Sequence, residues 1–153
     1  MKLEPIGYVR SSRADLVDDG WDRVSARIEL ATAFGPEALD GIEEFSHIEV
    51  LFVFDRVSET DVERGARHPR GNPSWPRVGI FAQRAKNRPN RLGATIVELQ
   101  GRNGRVLTVA GLDAVDGTPV VDIKPVMTEF LPRTPVRQPA WSHELMRGYW
   151  WRS

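Results

Sequence analysis

The sequence predicts a mainly β protein, a barrel or sandwich of short antiparallel strands with a few short helices and a helical C-terminal tail. Three observations carry that expectation. Short runs rich in β-branched and aromatic residues recur along the chain, separated by Gly, Pro or Asn, which is how all-β folds punctuate their strands. The glycine-rich patterns G-x-G-x-x-G and G-x-x-x-x-G-K-[ST] are missing, so nothing points to a Rossmann-like or P-loop fold. At 153 residues the chain fits one domain with a real core.

Taken in order, "PIGYVR" is a short extended segment after Pro5, and "VSARIEL" alternates Val24, Ala26, Ile28 and Leu30 against polar neighbours. That period of two marks a half-buried strand. In "GPEALDG", Pro36 stands at a first helical position and Gly41 at a stop, so one short helix is expected. "HIEVLFVFD" is a nearly continuous apolar run, too short for a helix and rich in β-formers, and it reads as a core strand. "VGIFAQ", "LGATIVELQ", "RVLTVAGLDAV" and "TPVVDIKPV" follow as further strands, with "GRNG" as a hairpin turn between the second and third. The tail "PAWSHELMRGYWWRS" reads as helical after a capping Ser142, its tryptophans packing on the barrel or a partner subunit. The expected organisation is a barrel over residues 1–130 and a tail over 131–153.

Composition narrows the chemistry. There is no cysteine, which removes disulfides, thiolate metal sites and cysteine nucleophiles and suits the cytoplasm. The longest apolar stretch, around "IEVLFVF", is too short to span a bilayer, and the N-terminus shows no signal-peptide core. Formal net charge is zero, with 21 basic and 21 acidic residues. The distribution is uneven: residues 64–91 hold eight basic side chains and no acidic one, leaving 13 basic against 21 acidic elsewhere. Such a segment either focuses an anion site or pairs with the acidic excess.

The G-x-S-x-G and H-E-x-x-H templates are also missing, and the histidines at 47, 68 and 143 lack metal-ligand spacing, so no metal site is expected. Three segments stand out instead: "RHPRGNPSWPRVGIFAQR", "RAKNRPNRLGATIVEL" and "GLDAVDGTPVVDIKP". In the second, four cationic residues are interleaved with Pro89 and two asparagines, the composition of a shaped loop rather than a solvated helix. In the third, aspartates 113, 116 and 122 surround an Asp-Gly turn.

These segments, with "PIGYVRSS" and "GIEEFSHIEVLFVFDR" before them, resemble the TsaA/TrmO-like (YaeB-like) family over roughly residues 3–126. Members are S-adenosylmethionine-dependent methyltransferases that act at N6 of threonylcarbamoyladenosine beside the tRNA anticodon. The resemblance implies an antiparallel β-barrel unrelated to Rossmann-like methyltransferases, and a homodimer with the cofactor cleft near the subunit interface. It assigns cofactor contacts to Asp55, Arg56, Arg84, Leu92, Gly93, Ala94, Leu112, Asp113, Ala114, Val115 and Asp116. It points to tRNA as the partner, with Arg70, Lys86, Arg88 and Arg91 as RNA contacts; Arg88 and Arg91 are expected to project from the Pro89-Asn90 turn. Arginines suit carboxylate and phosphate, while aspartates and backbone groups suit the sulfonium and adenine.

The chain departs from the family's best-known members at four places. Their P-R-Q triplet after the first strand is replaced within "SSRADLVDDGWDR", and their His-Gln pair by Asp55-Arg56. Arg91 stands where they carry a proline, and "PVRQPAWSHELMRGYWWRS" stands where they continue into a C-terminal domain. Methyl transfer to nitrogen needs alignment, exclusion of water and disposal of one proton; Asp55, Asp113, Asp116 and Asp122 are candidate bases by chemistry alone. Two further readings stay open: a cofactor-binding module without catalysis, and a methyltransferase acting on a small nucleoside-like molecule.

Overall fold

In a computed structural model, residues 1–14, 18–21 and 24–150 are described. Eight strands run in chain order: β1 (Gly7–Ser11), β2 (Ser25–Leu30), β3 (His47–Val53), β4 (Ala66–Arg67), β5 (Val78–Gly79), β6 (Leu92–Asn103), β7 (Val106–Ala110) and β8 (Pro119–Pro125). Six of them close into an antiparallel barrel in the order β1-β2-β7-β6-β3-β8, and β4 pairs with β5 outside it. Closure removes the free edges that an open sheet of this size would expose.

The barrel interior is read directly off the period-two pattern. Val9, Ile28, Ile48, Val50, Phe52, Val97, Leu107, Val109 and Val120 are almost wholly buried and form one core cluster. β3 is less uniform than its apolar run suggests: Ile48, Val50 and Phe52 point inward, whereas Glu49, Leu51 and Val53 are only half-buried. Phe52 stands directly opposite Gly93 on β6. A Cβ at Gly93 would come within 2.5 Å of the Phe52 ring, so the glycine makes room for the aromatic side chain.

Four local expectations shift. "VGIFAQ" is strand only at Val78–Gly79, and Ile80–Ala82 form a 3-10 turn that buries Ile80. The hairpin turn is Gly104-Arg105, because Asn103 still pairs with Val106; the positive φ of 59° falls on Gly104, where it costs nothing. "GPEALDG" forms a 3-10 turn at Pro36–Leu39. The C-terminal helix, α1, spans Ala140–Met146 with Pro139 at its N-cap. Ser142 therefore lies inside it, its hydroxyl donating to the Pro139 carbonyl at 2.6 Å. Every residue from 127 to 140 is exposed.

Candidate functional site

Strand polarity gathers the candidate residues at one rim of the barrel. Ser11 ends β1, Val53 ends β3 and Ala110 ends β7, while Ser25, Leu92 and Pro119 begin β2, β6 and β8. The pairs Ser25–Ala110 and Val53–Leu92 fix these ends at a common level. Asp55-Arg56, residues 92–94 and residues 112–116 all lie at this rim or in the loops leaving it.

Asp113 is the centre of the first cluster. The hydroxyl of Thr95, on β6 and only 8% exposed, donates to Asp113 Oδ1, and the Tyr149 hydroxyl donates to Oδ2. One residue before Thr95, the Ala94 carbonyl accepts from Arg84 Nη2 at 2.6 Å. Burial pushes the Tyr149 phenol well above its ordinary range; the adjacent Asp113 carboxylate pushes the same way, against Arg84 and Arg70. A phenol so placed remains a donor, and the carboxylate remains its acceptor.

Tyr149 reaches this position because the chain after α1 folds back onto the rim. The Gly20 amide donates to the carbonyls of Gly148 (3.2 Å) and Tyr149 (2.6 Å), and the Trp21 amide donates to Tyr149 at 3.0 Å. Trp75 Nε1 donates to Glu144 Oε2 at 2.7 Å, tying α1 to the proline-rich loop. The Arg13 guanidinium lies 3.8 Å over the Trp21 ring and donates to the Gly20 carbonyl. Trp150 is 37% exposed; Trp151 and the stretches 15–17 and 22–23 of the departing loop fall outside the described residues.

Asp116 organises the second cluster. Its Oδ1 accepts from the Ser11 amide at 3.0 Å, and its carbonyl accepts from Arg56 Nη2 at 3.0 Å, while Arg56 Nη1 donates to Ala14. Arg56 therefore ties the end of β3 to the loop after β1. Asp55 is exposed, and its carboxylate makes no hydrogen bond or ion pair among the described residues. Asp122 lies further along β8, bonded to the Ile123 amide and paired with Lys124 at 3.3 Å. Leu112, Ala114 and Val115 are buried apolar residues, so in that stretch the polar side chains come from Asp113 and Asp116.

Arg88 and Arg91 do not project as expected. Arg88 Nη1 turns back to the Gln83 carbonyl at 2.7 Å, and Arg91 Nη1 to Val57 at 2.6 Å, both part-buried. The reason is the loop itself: tight turns leave carbonyls that lack ladder partners, and a guanidinium satisfies them. Arg70 pairs with Asp19 at 3.0 Å and Asp18 at 3.8 Å. Lys86 is half-buried and has no partner among the described residues. Thr95 and Tyr149 were not expected at the site. Thr95 sits at an inward position of an alternating strand, and Tyr149 meets Asp113 across 36 residues of chain; no local motif signals either contact.

Comparison with known proteins adds four findings. A "tRNA (adenine(37)-N6)-methyltransferase" of Mus musculus is 33% identical over 135 residues, covering 83% of this chain and 31% of that protein. A "probable S-adenosyl-L-methionine-binding protein" of Methanothermobacter thermautotrophicus is 40% identical over 129 residues, covering 82% of this chain and 89% of that one. The crystal structure of TrmO from Pseudomonas aeruginosa superposes with a TM-score of 0.74 at 30% identity, covering 92% of this chain and 61% of that chain. The chain thus spans about a third to about half of the methyltransferase relatives' length. The profile of the tRNA-methyltransferase O N-terminal domain matches residues 16–130, and this chain belongs to that family.

Proposed function

We propose that the chain binds S-adenosylmethionine at the rim and methylates N6 of threonylcarbamoyladenosine beside the tRNA anticodon, as a homodimer in the cytoplasm. The observation that carries the reading is the convergence of Arg84, Ala94, Thr95 and Asp113 in one cluster at the barrel rim. This donor set fits the cofactor. Arg84 supplies a guanidinium for a carboxylate and Asp113 supplies acceptors for hydroxyl or amino groups, while Leu112, Ala114 and Val115 pack into the core behind them. When bound, S-adenosylmethionine supplies an electrophilic methyl group.

The protein's own part is positioning and one proton. Arg84 is anchored to Ala94 and so presents its remaining donors in a fixed direction. Asp113 is held by two hydroxyls and Asp116 by the Ser11 amide, which commits both to binding. Asp55 is the rim carboxylate whose side chain is unengaged among the described residues, and we assign it the acceptor-nitrogen proton. The test uses labelled S-adenosylmethionine and bulk tRNA from a strain lacking its own enzyme. Label should enter the RNA, and Asp55→Asn should slow transfer about 100-fold at saturating cofactor. No transfer by wild-type protein that binds the cofactor by calorimetry would refute catalysis. That result would favour the second reading, a cofactor-binding module, which the near full-length match to the archaeal binding protein supports.

A further inference from the structure

Arg88 and Arg91 are anchored to carbonyls and Arg70 to Asp18 and Asp19, and a further pair of exposed cations stands on the barrel wall. On the outer face of the barrel, Arg10 of β1 and Arg27 of β2 are direct cross-strand partners, and Thr108 of β7 stands opposite Arg27. Both arginines are exposed. Directly opposed residues hold their Cβ atoms about 5 Å apart, and like charges there are destabilising. Arg10 is partly relieved: its Nε lies 3.3 Å from Glu29 Oε2, and its head lies 5.9 Å from the Tyr8 ring. Arg27 makes no hydrogen bond or ion pair among the described residues.

These residues line a cleft of about 480 Å³, together with Ser11, Ser12, Ser25, Ala26 and Asp116. Ser11 Oγ accepts from the Arg13 amide, whereas the hydroxyls of Ser12, Ser25 and Thr108 have no partner among the described residues. The cleft therefore offers two guanidinium groups and three uncommitted hydroxyl donors. Its acidic member, Asp116, turns one oxygen onto the Ser11 amide at 3.0 Å. Asp116 also belongs to the rim loop, so the cleft borders the second cluster of the candidate site.

We propose that this cleft seats a backbone phosphate of the RNA strand whose base enters the rim. The inference rests on the tRNA reading above and deepens it. A phosphodiester brings one negative charge and several acceptor oxygens, which relieves the Arg10–Arg27 repulsion and satisfies the free hydroxyls together. A carboxylate would meet the charge while leaving more of the donors unpaired.

The test is fluorescence-anisotropy titration of the full chain with a labelled tRNA anticodon stem-loop at several salt concentrations. Arg27→Ala should weaken binding several-fold at low salt and flatten the log–log slope by roughly 0.7–0.9. Arg27→Lys should restore the slope, which separates charge from fold, and calorimetric affinity for S-adenosylmethionine should stay unchanged in both variants. Parallel salt plots for wild type and Arg27→Ala would overturn the proposal, as would flattening by Arg88→Ala/Arg91→Ala alone. Inorganic phosphate is the second probe: binding that depends on Arg27 without RNA binding would assign the cleft to a small phosphate ligand and overturn the RNA seat. RNA results as expected without cofactor binding would leave this seat standing and remove the cofactor reading instead.

Discussion

Asp113 is gripped from two regions built in opposite ways. Thr95, itself almost wholly buried, reaches it from the barrel wall, in the stretch of β6 laddered to β3 from Leu92 to Glu98. Tyr149 reaches it from a segment that leaves the barrel through fourteen exposed residues, 127–140, and returns through a seven-residue helix with no buried side chain. The same carboxylate thus reads a cooperative structure on one side and a locally docked one on the other. Buried, ladder-bonded elements open with close to the global unfolding energy, whereas segments with few buried contacts open for much less. The two hydroxyls are chemically alike as donors, and what separates them is the cost of moving them away.

The barrel side breaks hardest at Gly93. Gly93→Val places branched carbon atoms where the Cβ alone would lie 2.5 Å from the fully buried Phe52 ring. The expected loss is about 3 kcal/mol, or about 6–12 °C in a thermal melt for a chain of this size. An unchanged melting temperature would show that the rim end of β3 and β6 is not the rigid wall described. Next comes Thr95→Val, which keeps the shape and removes the hydroxyl beneath Asp113. It should cost about 1–2 kcal/mol and weaken S-adenosylmethionine binding measurably by calorimetry. A stability loss with unaltered affinity would dissociate Asp113 from the ligand.

Much of the barrel side was legible. Period-two alternation gave β2 close to its observed limits, because the closed sheet has one buried face; "LGATIVELQ" marked the start of β6, whereas "RVLTVAGLDAV" overran β7, which stops at Ala110. The apolar density of "HIEVLFVFD" gave β3 its place but hid its alternation, since Leu51 and Val53 are as apolar as the residues facing inward. "VGIFAQ" misled because Ile80 is buried through a 3-10 turn, which a short apolar run cannot announce. At the site, the motif around Asp113 and Asp116 is visible as sequence. Whether a residue there faces the core or the rim is not, and Leu112, Ala114 and Val115 turn out to be buried in the core. Arg88 and Arg91 read as projecting charge for a similar reason: a sequence displays the cation and conceals the carbonyl that holds it. Tyr149 was the least legible, its docking being set by contacts with Gly20, Trp21 and Asp113 from distant parts of the chain.

The smallest expected effect lies on that docked side and sharpens the contrast most. Tyr149→Phe removes only the hydroxyl, and its loss should cost roughly 1 kcal/mol or less, because the segment can open without disturbing the barrel. Its signature is in pH. The docked phenol titrates above its ordinary value, first because it is buried and then because Asp113 faces it. A raised folded-state pKa means that the protonated form is the one stabilised, so the contribution is complete below about pH 10, where the free phenol is also protonated. Above that pH the undocked phenol ionises while the docked one must stay neutral, and docking loses free energy with each further step in pH. Urea unfolding of wild type and Tyr149→Phe from pH 8 to 11.5 should therefore give a constant small gap up to about pH 10 that closes above it. A gap that stays constant to pH 11.5 would mean that the phenol is not held against Asp113, and that the barrel grips this carboxylate alone.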